Sequence, residues 1–439
     1  MFFLYSFILT IGFVILLPRF LFDAVRKGKY AAGFWQRLGF LPGFVPNEKA
    51  VLWIHCVSVG ETNAARPLVS EIIQNFPQFQ IVVSTTTKTG QKLAREVFAN
   101  KADFIFYFPF DWQFSVRRAL KIINPSIVLL METELWFNFL REAGMSGTKI
   151  ALVNGRLSER SAARYLYVRK FIGCALSFVD LALMQGNGDA KRLIELGIDH
   201  KKVRVTGNIK FDQKFDEAEN DLTHQLRERF RISEAIPLIV AASTHAPEEK
   251  WILQAFTDVR QSLRKNPPRL LIAPRHPERF EEVAKLFKEA GFTVARRSQK
   301  MSEADYSAEV ILLDSIGELR ATYHLAEIVF VGGSLIPHGG QSILEPALVR
   351  KAIVTGFYTM NFEAATKEFL DQNALVQMPQ LNENEISGKL YETFLYLLQD
   401  TKIREKLAGN AFAVMEKNRG ATAKTVELLK SLLKNPDKK

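Results

Sequence analysis

Apolar and polar positions along this chain follow two alternating patterns. Short unbroken apolar runs are separated by stretches in which apolar residues recur every three or four positions. The runs are Leu52–Val57, Ile81–Ser84, Phe104–Phe108, Ile127–Met131, Ile150–Val153, Leu181–Gln185 and Val203–Val205. A second series follows at Leu238–Ala242, Leu270–Ala273, Val310–Leu313, Ile328–Val331 and Ala352–Thr355. Runs this short and this apolar predict strands covered on both faces, and the intervening period predicts helices. Strand and helix in alternation predict βαβ units and mainly parallel sheets. Between the two series, after Asp212, the chain turns charged and helical. The fold expected is therefore α/β, with two Rossmann-like, doubly wound domains facing a cleft. The divisions expected are an anchor over 1–22, a first domain over 23–215, a linker over 216–235, and a second domain over 236–439 that includes the terminal helices.

The amino-terminal segment breaks this pattern. Residues 2–17, FFLYSFILTIGFVILL, carry no charge, and Pro18-Arg19 closes them before Arg26, Lys27, Lys29 and Arg37. A cleavable signal would put its positive charge ahead of the apolar run and small residues behind it. The opposite order predicts a retained single anchor helix with the body of the protein on the cytoplasmic side. The run falls slightly short of the ~20 residues of a spanning helix, so an interfacial placement competes with a true span. Because the first strand begins only at Leu52, the segment is expected to be separable from the fold.

Charge sharpens this picture. The 439 residues carry a formal net charge of +11. Residues 1–215 hold 28 Lys and Arg against 16 Asp and Glu, while the remainder holds 30 against 31. A basic first half suits an anionic membrane surface or a phosphorylated lipid. No recognition motif, zinc-ligand spacing or Arg-rich tail points to nucleic acid. Two cysteines, Cys56 and Cys174, cannot form a disulfide framework, and both sit in apolar stretches expected to bury them.

The candidate chemistry lies where strands end. Leu52 to Pro67, LWIHCVSVGETNAARP, places Glu61 at a strand-to-helix junction, with Pro67 expected in the first helical turn. A general base suits that position, and a first-turn capping carboxylate is the alternative. Glu132 and Glu134 follow the strand ending at Met131, and Lys210 follows a Gly-Asn turn, where a cation could meet an anionic transition state. In the second half, Pro274, Arg275 and His276 follow a strand, and Arg275 could hold a phosphate in bidentate fashion. Ile316, Gly317 and Glu318 form a tight turn. The stretch IVFVGGSLIPHGGQSILEPAL runs from a strand through two Gly pairs to a helix opening at Ser342, Ile343, Leu344 and Glu345. Phosphates favour such Gly-rich helix starts, and Glu345 could accept ribose hydroxyls. No G-x-x-x-x-G-K-[ST] loop is present, which argues against an NTPase. Nor is there a D-x-D motif to hold a metal against a pyrophosphate, and a donor with one phosphate needs none.

In this order, WIHCVSVGE, METELW, NGRLSERS, TGNIKFD, APRHPERF and GGSLIPHGGQSILEP resemble the 3-deoxy-D-manno-octulosonic acid (Kdo) transferase family of lipopolysaccharide synthesis. The resemblance covers nearly the whole chain. It implies a GT-B fold and an inverting, metal-independent transfer of Kdo without a cofactor. The donor would be CMP-Kdo and the acceptor the glucosamine 6-hydroxyl of a lipid A precursor, lipid IV(A), at the cytoplasmic face of the inner membrane. By motif, Glu61 would be the proton acceptor, and Glu132 and Lys210 would stabilise the transition state. Pro274, Arg275, Ile316 to Glu318 and Ser342 to Glu345 would bind CMP. Gln341-Ser342 departs from the His-Asn of many members. A nucleotide-sugar epimerase of the same fold and a non-catalytic lipid-binding protein are the competing readings.

Overall fold

The computed structural model describes residues 1–27, 33–214, 217–233 and 235–433, without the side chains of residues 19–27. The chain forms two compact units, Met1–Gln213 with Asn418–Lys439, and Lys214–Lys417. The first is built on β1 (Ala50–Cys56), β2 (Phe79–Thr85), β3 (Phe104–Tyr107), β4 (Pro125–Met131), β5 (Lys149–Gly155), β6 (Leu181–Met184) and β7 (Val203–Val205). These lie in the order β3-β2-β1-β4-β5-β6-β7, every pair parallel. Alternate residues of one strand serve opposite faces of the sheet. Trp53, Val128, Leu130 and Leu152 bury into one helical layer, and Leu52, Ile54, Leu129 and Ala151 into the other. Burial on both faces is why these strands read as unbroken apolar runs.

The second unit repeats the plan with β8 (Leu238–Thr244), β9 (Arg269–Pro274), β10 (Val294–Arg296), β11 (Val310–Leu312), β12 (Ile328–Val331), β13 (Ala352–Thr355) and β14 (Val376–Gln377). Their order is β10-β11-β9-β8-β12-β13-β14, again all parallel. The winding direction reverses between β1 and β4 in one sheet and between β8 and β12 in the other. Crevices for ligands open beyond the carboxyl ends of strands at such points. The sequence pattern does not show β10 and β14, edge strands too short to carry a periodicity.

Several expectations need correction. The stretch 216–235 is not a free linker: its helix Glu217–Arg229 belongs to the second unit, where Thr223 Oγ1 donates to Ala321 O at 2.9 Å and buried Arg229 pairs with Asp305 at 3.1 Å. The terminal helices divide. Glu383–Gln399 and Thr401–Lys417 stay with the second unit, and Ala421–Leu433 returns to the first. There Val426, Leu429 and Leu433 join the core beside Leu68 and Ile72, and the Asp212 carboxylate accepts the amides of Gly420 and Thr422 at 2.7 and 2.5 Å. Pro67 lies inside the helix Val59–Asn75, well past its first turn. Of the two cysteines, Cys56 is buried and Cys174 exposed.

The amino-terminal helix spans Phe2–Lys27. Among the described residues, no helix is long and apolar enough to cross a membrane. Among its described residues, the polar side chains of Tyr5, Ser6 and Thr10 explain its position, because each finds a partner on the rest of the first unit. Tyr5 Oη donates to Asp111 Oδ2 at 2.9 Å, Asn138 Nδ2 to Ser6 Oγ at 2.9 Å, and Trp112 Nε1 to Thr10 Oγ1 at 3.1 Å. The Phe2 ring meets Phe171, and Phe13 meets Trp112 edge-on at 4.9 Å. Phe3, Leu4, Phe7, Ile8, Val14 and Ile15 remain exposed on the outer side. The segment is therefore packed against the rest of the first unit through these contacts. Of the basic residues that follow, Lys29 and the side chains of Arg26 and Lys27 lie outside the described residues. Arg37 is buried, 4.6 Å from the Tyr107 ring centroid, and is not a membrane-facing cation. Asp111, pushed up to about 7 by burial, is held by Tyr5 and the amides of Asn138 and Phe139. Tyr5→Phe removes one of those donors, and a cost of about 1–3 kcal/mol is expected. A clear drop in Tm with the secondary structure retained would show it; an unchanged Tm would mean the helix is not fastened there.

Candidate active site

The first sheet's reversal point brings three carboxylates and one ammonium together. β1 ends at Cys56, Ser58 stands at the N-cap position of the helix that follows without a side-chain capping bond, and Glu61 falls in its first turn. Glu61 Oε2 accepts the Val57 amide at 2.7 Å, and Oε1 lies 3.3 Å from Ser58 Oγ. The carboxylate thus reaches back to the junction and performs part of the capping role. Electrostatics set it apart from an ordinary cap. Burial pushes Glu61 up to about 8, the Glu132 charge adds to the shift and Glu134 contributes less, against the Val57 and Ser58 hydrogen bonds. Glu134 is also raised, by burial first and then by Glu132.

Glu132 follows β4 directly, with φ at 56°, a left-handed conformation that costs a non-glycine residue energy and that concentrates at functional sites. Its amide donates to Val153 O at 2.8 Å, which fixes the turn. Lys210 Nζ lies 2.7 Å from Glu132 Oε1, both side chains about one-quarter exposed or less. Asn154, at the end of β5, holds the lysine's loop by accepting the Ile209 amide at 3.0 Å, and Asn208 Oδ1 accepts the Lys210 amide at 3.0 Å. Sequence reasoning missed Asn154, although it stands in the NGRLSERS motif and has a positive φ of 57°. Three sequence stretches therefore meet at one crevice, and Lys210 belongs to Glu132 specifically.

At the second reversal point, β8 and β12 part around a buried acid that the sequence reading also missed. Glu248 is fully buried and accepts four backbone amides: His245 at 2.9 Å, Gly333 at 2.7 Å, Ser334 at 3.0 Å and Leu335 at 2.9 Å. Burial pushes its carboxyl up to about 7 against those bonds. This one side chain organises the Gly-rich loop. Gly332 has no room for a side chain, since a Cβ there would lie 2.7 Å from Ser243 O. Asn361 holds the far end of the loop, donating to His338 O at 3.0 Å.

Around this loop, Arg275 is exposed, and its amide donates to Thr244 O at 2.9 Å. Pro274 is buried at the end of β9. Gly317 turns with φ at 91° and Ile316 is 70% exposed. Glu318 is bound by Arg297 through two hydrogen bonds of 2.9 and 2.8 Å and by Ser315, so its backbone is what remains for a ligand. Ile343 and Leu344 are buried and likewise offer backbone alone, whereas Ser342 and Glu345 are partly exposed. The helix they open is short, Leu344–Leu348. The base-type residues thus belong to the first unit and the phosphate-type loops to the second.

Residues 32–213 match a family described as 3-deoxy-D-manno-octulosonic-acid transferase (kdotransferase). The 3-deoxy-D-manno-octulosonic acid transferase of Haemophilus influenzae is 34% identical over 93% of this chain and 93% of its own. That of Chlamydophila psittaci is 30% identical over 85% of this chain and 84% of its own. Among solved structures, UDP-GlcNAc 2-epimerase from Neisseria meningitidis aligns with 88% of this chain and 100% of its own, with a TM-score of 0.58 at 15% identity, a likeness of fold.

Proposed function

Because the chain belongs to the 3-deoxy-D-manno-octulosonic acid transferase family, and so is a glycosyltransferase of lipopolysaccharide synthesis, we propose that it moves Kdo from CMP-Kdo to the glucosamine 6-hydroxyl of lipid IV(A). In this reading Glu61 takes the proton of that hydroxyl as its oxygen bonds to the anomeric carbon. The bond from that carbon to the phosphate oxygen breaks on the opposite face, CMP leaves with the electron pair, and the anomeric centre inverts. The observation that carries the reading is the position of Glu61, a carboxyl pushed up to about 8 beside Glu132 and Lys210. A base whose proton affinity lies near the working pH contributes roughly 10² to 10⁴ in rate. Lys210 and Glu132 would stabilise the transition state as a pair. Arg275 would take the departing phosphate, so the transfer needs no metal, and Glu345 would hold the ribose, with backbone at Gly317 and Ile343 lining the base. The exposed outer side of the amino-terminal helix supports an anchor that lies in the interface of the inner membrane, with the enzyme on its cytoplasmic side.

Incubation with CMP-Kdo and a tetra-acylated lipid A precursor, followed by mass analysis, is expected to show addition of Kdo. Isothermal calorimetry is expected to show CMP binding weakened by about 1–3 kcal/mol in Glu345→Ala, as for a lost ribose contact. Tighter binding of UDP than of CMP, or epimerisation of UDP-N-acetylglucosamine without lipid, would overturn the donor assignment.

A further inference from the structure

Three imidazoles converge at the reversal point of the second sheet. The ring centroid of His245, just past β8, lies 5.2 Å from that of His276, past β9, and 4.7 Å from that of His338, in the Gly-rich loop after β12. Three sequence-distant loops supply them, and Arg275 adjoins His276. His245 is 7% exposed. Its Nδ1 lies 3.1 Å from Ser243 O, which directs Nε2 away from that carbonyl. The ring packs against Gly333, where a Cβ would sit 3.3 Å from Cε1. Ser243 is held at a φ of 54° to present this turn.

Of the acids near these groups, only the exposed Glu278 reaches one of the rings. Glu248 spends both oxygens on backbone amides, and Glu249 pairs with Arg279 at 2.7 Å. Glu278, 76% exposed, comes only to 3.9 Å from His276 Nδ1. Among the described residues, no group of His, Cys, Asp or Glu could hold a metal ion, so metal ligation does not explain the cluster. Burial, His338, His276 and Arg275 together hold His245 down at about 4. Crowding basic groups with only one exposed acid nearby is unfavourable, and an anion placed among them relieves it.

We infer that His245, His276 and His338 form the subsite for the carboxylate on the anomeric carbon of a sugar-acid donor, beside Arg275 at the phosphate. This rests on the function proposed above. In a nucleotide-activated 2-keto sugar acid, the carboxylate and the phosphate ester oxygen are bonded to the same carbon. The two negative charges therefore travel as neighbours, and the groups that receive them have to be neighbours too, as Arg275 and His276 are. The imidazoles would distinguish a sugar acid from a neutral sugar by donating ring N–H groups to its carboxylate.

His276 and His338 are exposed, so His276→Gln and His338→Gln leave the packing around His245 in place. With the full-length enzyme, each variant is expected to raise KM for CMP-Kdo about tenfold while the Ki of CMP changes less than twofold. An equal weakening of CMP would make this a phosphate subsite and overturn the inference. So would an unchanged KM in an active variant. A wild-type enzyme that transfers no Kdo would instead overturn the function on which the inference rests.

Discussion

Glu61→Gln is expected to lower turnover by at least ~10²-fold while leaving CMP affinity nearly unchanged, because the amide keeps the shape of the side chain and loses its capacity to accept a proton. The pH profile carries the same information. With burial and then Glu132 holding the carboxyl up to about 8, wild-type turnover should climb as pH rises toward that value, and the residual activity of the variant should not follow that limb. Stability should respond with the opposite sign. The folded state holds this proton more tightly than the unfolded chain, whose carboxyl sits near 4.5. The group's contribution is therefore complete below about 4.5 and is lost as pH rises through about 8. The Tm of Glu61→Gln should accordingly improve relative to wild type between pH 5 and 8.5. A cap alone would predict a small loss of stability, about a kcal/mol, at every pH and near-normal turnover. That pattern would remove Glu61 as the base and transfer the role to Glu132 or Glu134.

Glu248→Ala is expected to abolish measurable CMP binding. It strips the acceptor from four buried amides, three of them at Gly333, Ser334 and Leu335 in the Gly-rich loop. An unsatisfied buried donor costs about 1–3 kcal/mol. Four of them approach the whole stability of a domain, about 5–15 kcal/mol. Hydrogen exchange should show faster exchange first at residues 332–335, before the second unit loses its cooperative unfolding transition. Glu278→Ala, at an exposed acid, serves as the control and should leave both measurements unchanged. Normal CMP affinity with slow exchange at Gly333 in Glu248→Ala would mean that the loop holds its shape without the carboxylate.

The amino-acid sequence by itself determined the two doubly wound sheets, their order along the chain and the loops at their strand ends where the candidate residues lie. It could do so because both faces of each sheet are buried, so that the central strands are apolar throughout and their ends are marked by Gly, Pro and charge. Local pattern also located Glu61, Glu132, Lys210 and Arg275 at strand ends. Their partnerships came only from tertiary structure. The pairing of Lys210 with Glu132 spans 78 positions, and its precision depends on Asn154 in a third loop. Glu248 looks like one of two acids at the start of a helix, and only the approach of the loop after β12 makes it the acceptor of four amides. His245, His276 and His338 are scattered through the sequence and meet because β8, β9 and β12 are parallel and adjacent, so that their carboxyl ends open on one edge. The same limit explains two of the assignments that changed. The helix Ala421–Leu433 has an amphipathic pattern that specifies an apolar partner but not which one, and Arg37 carries a charge that sequence places at a surface until Tyr107 and Thr86 enclose it. Periodicity records which face of an element is buried; the identity of the surface that buries it is a long-range fact, decided when the sheets assemble.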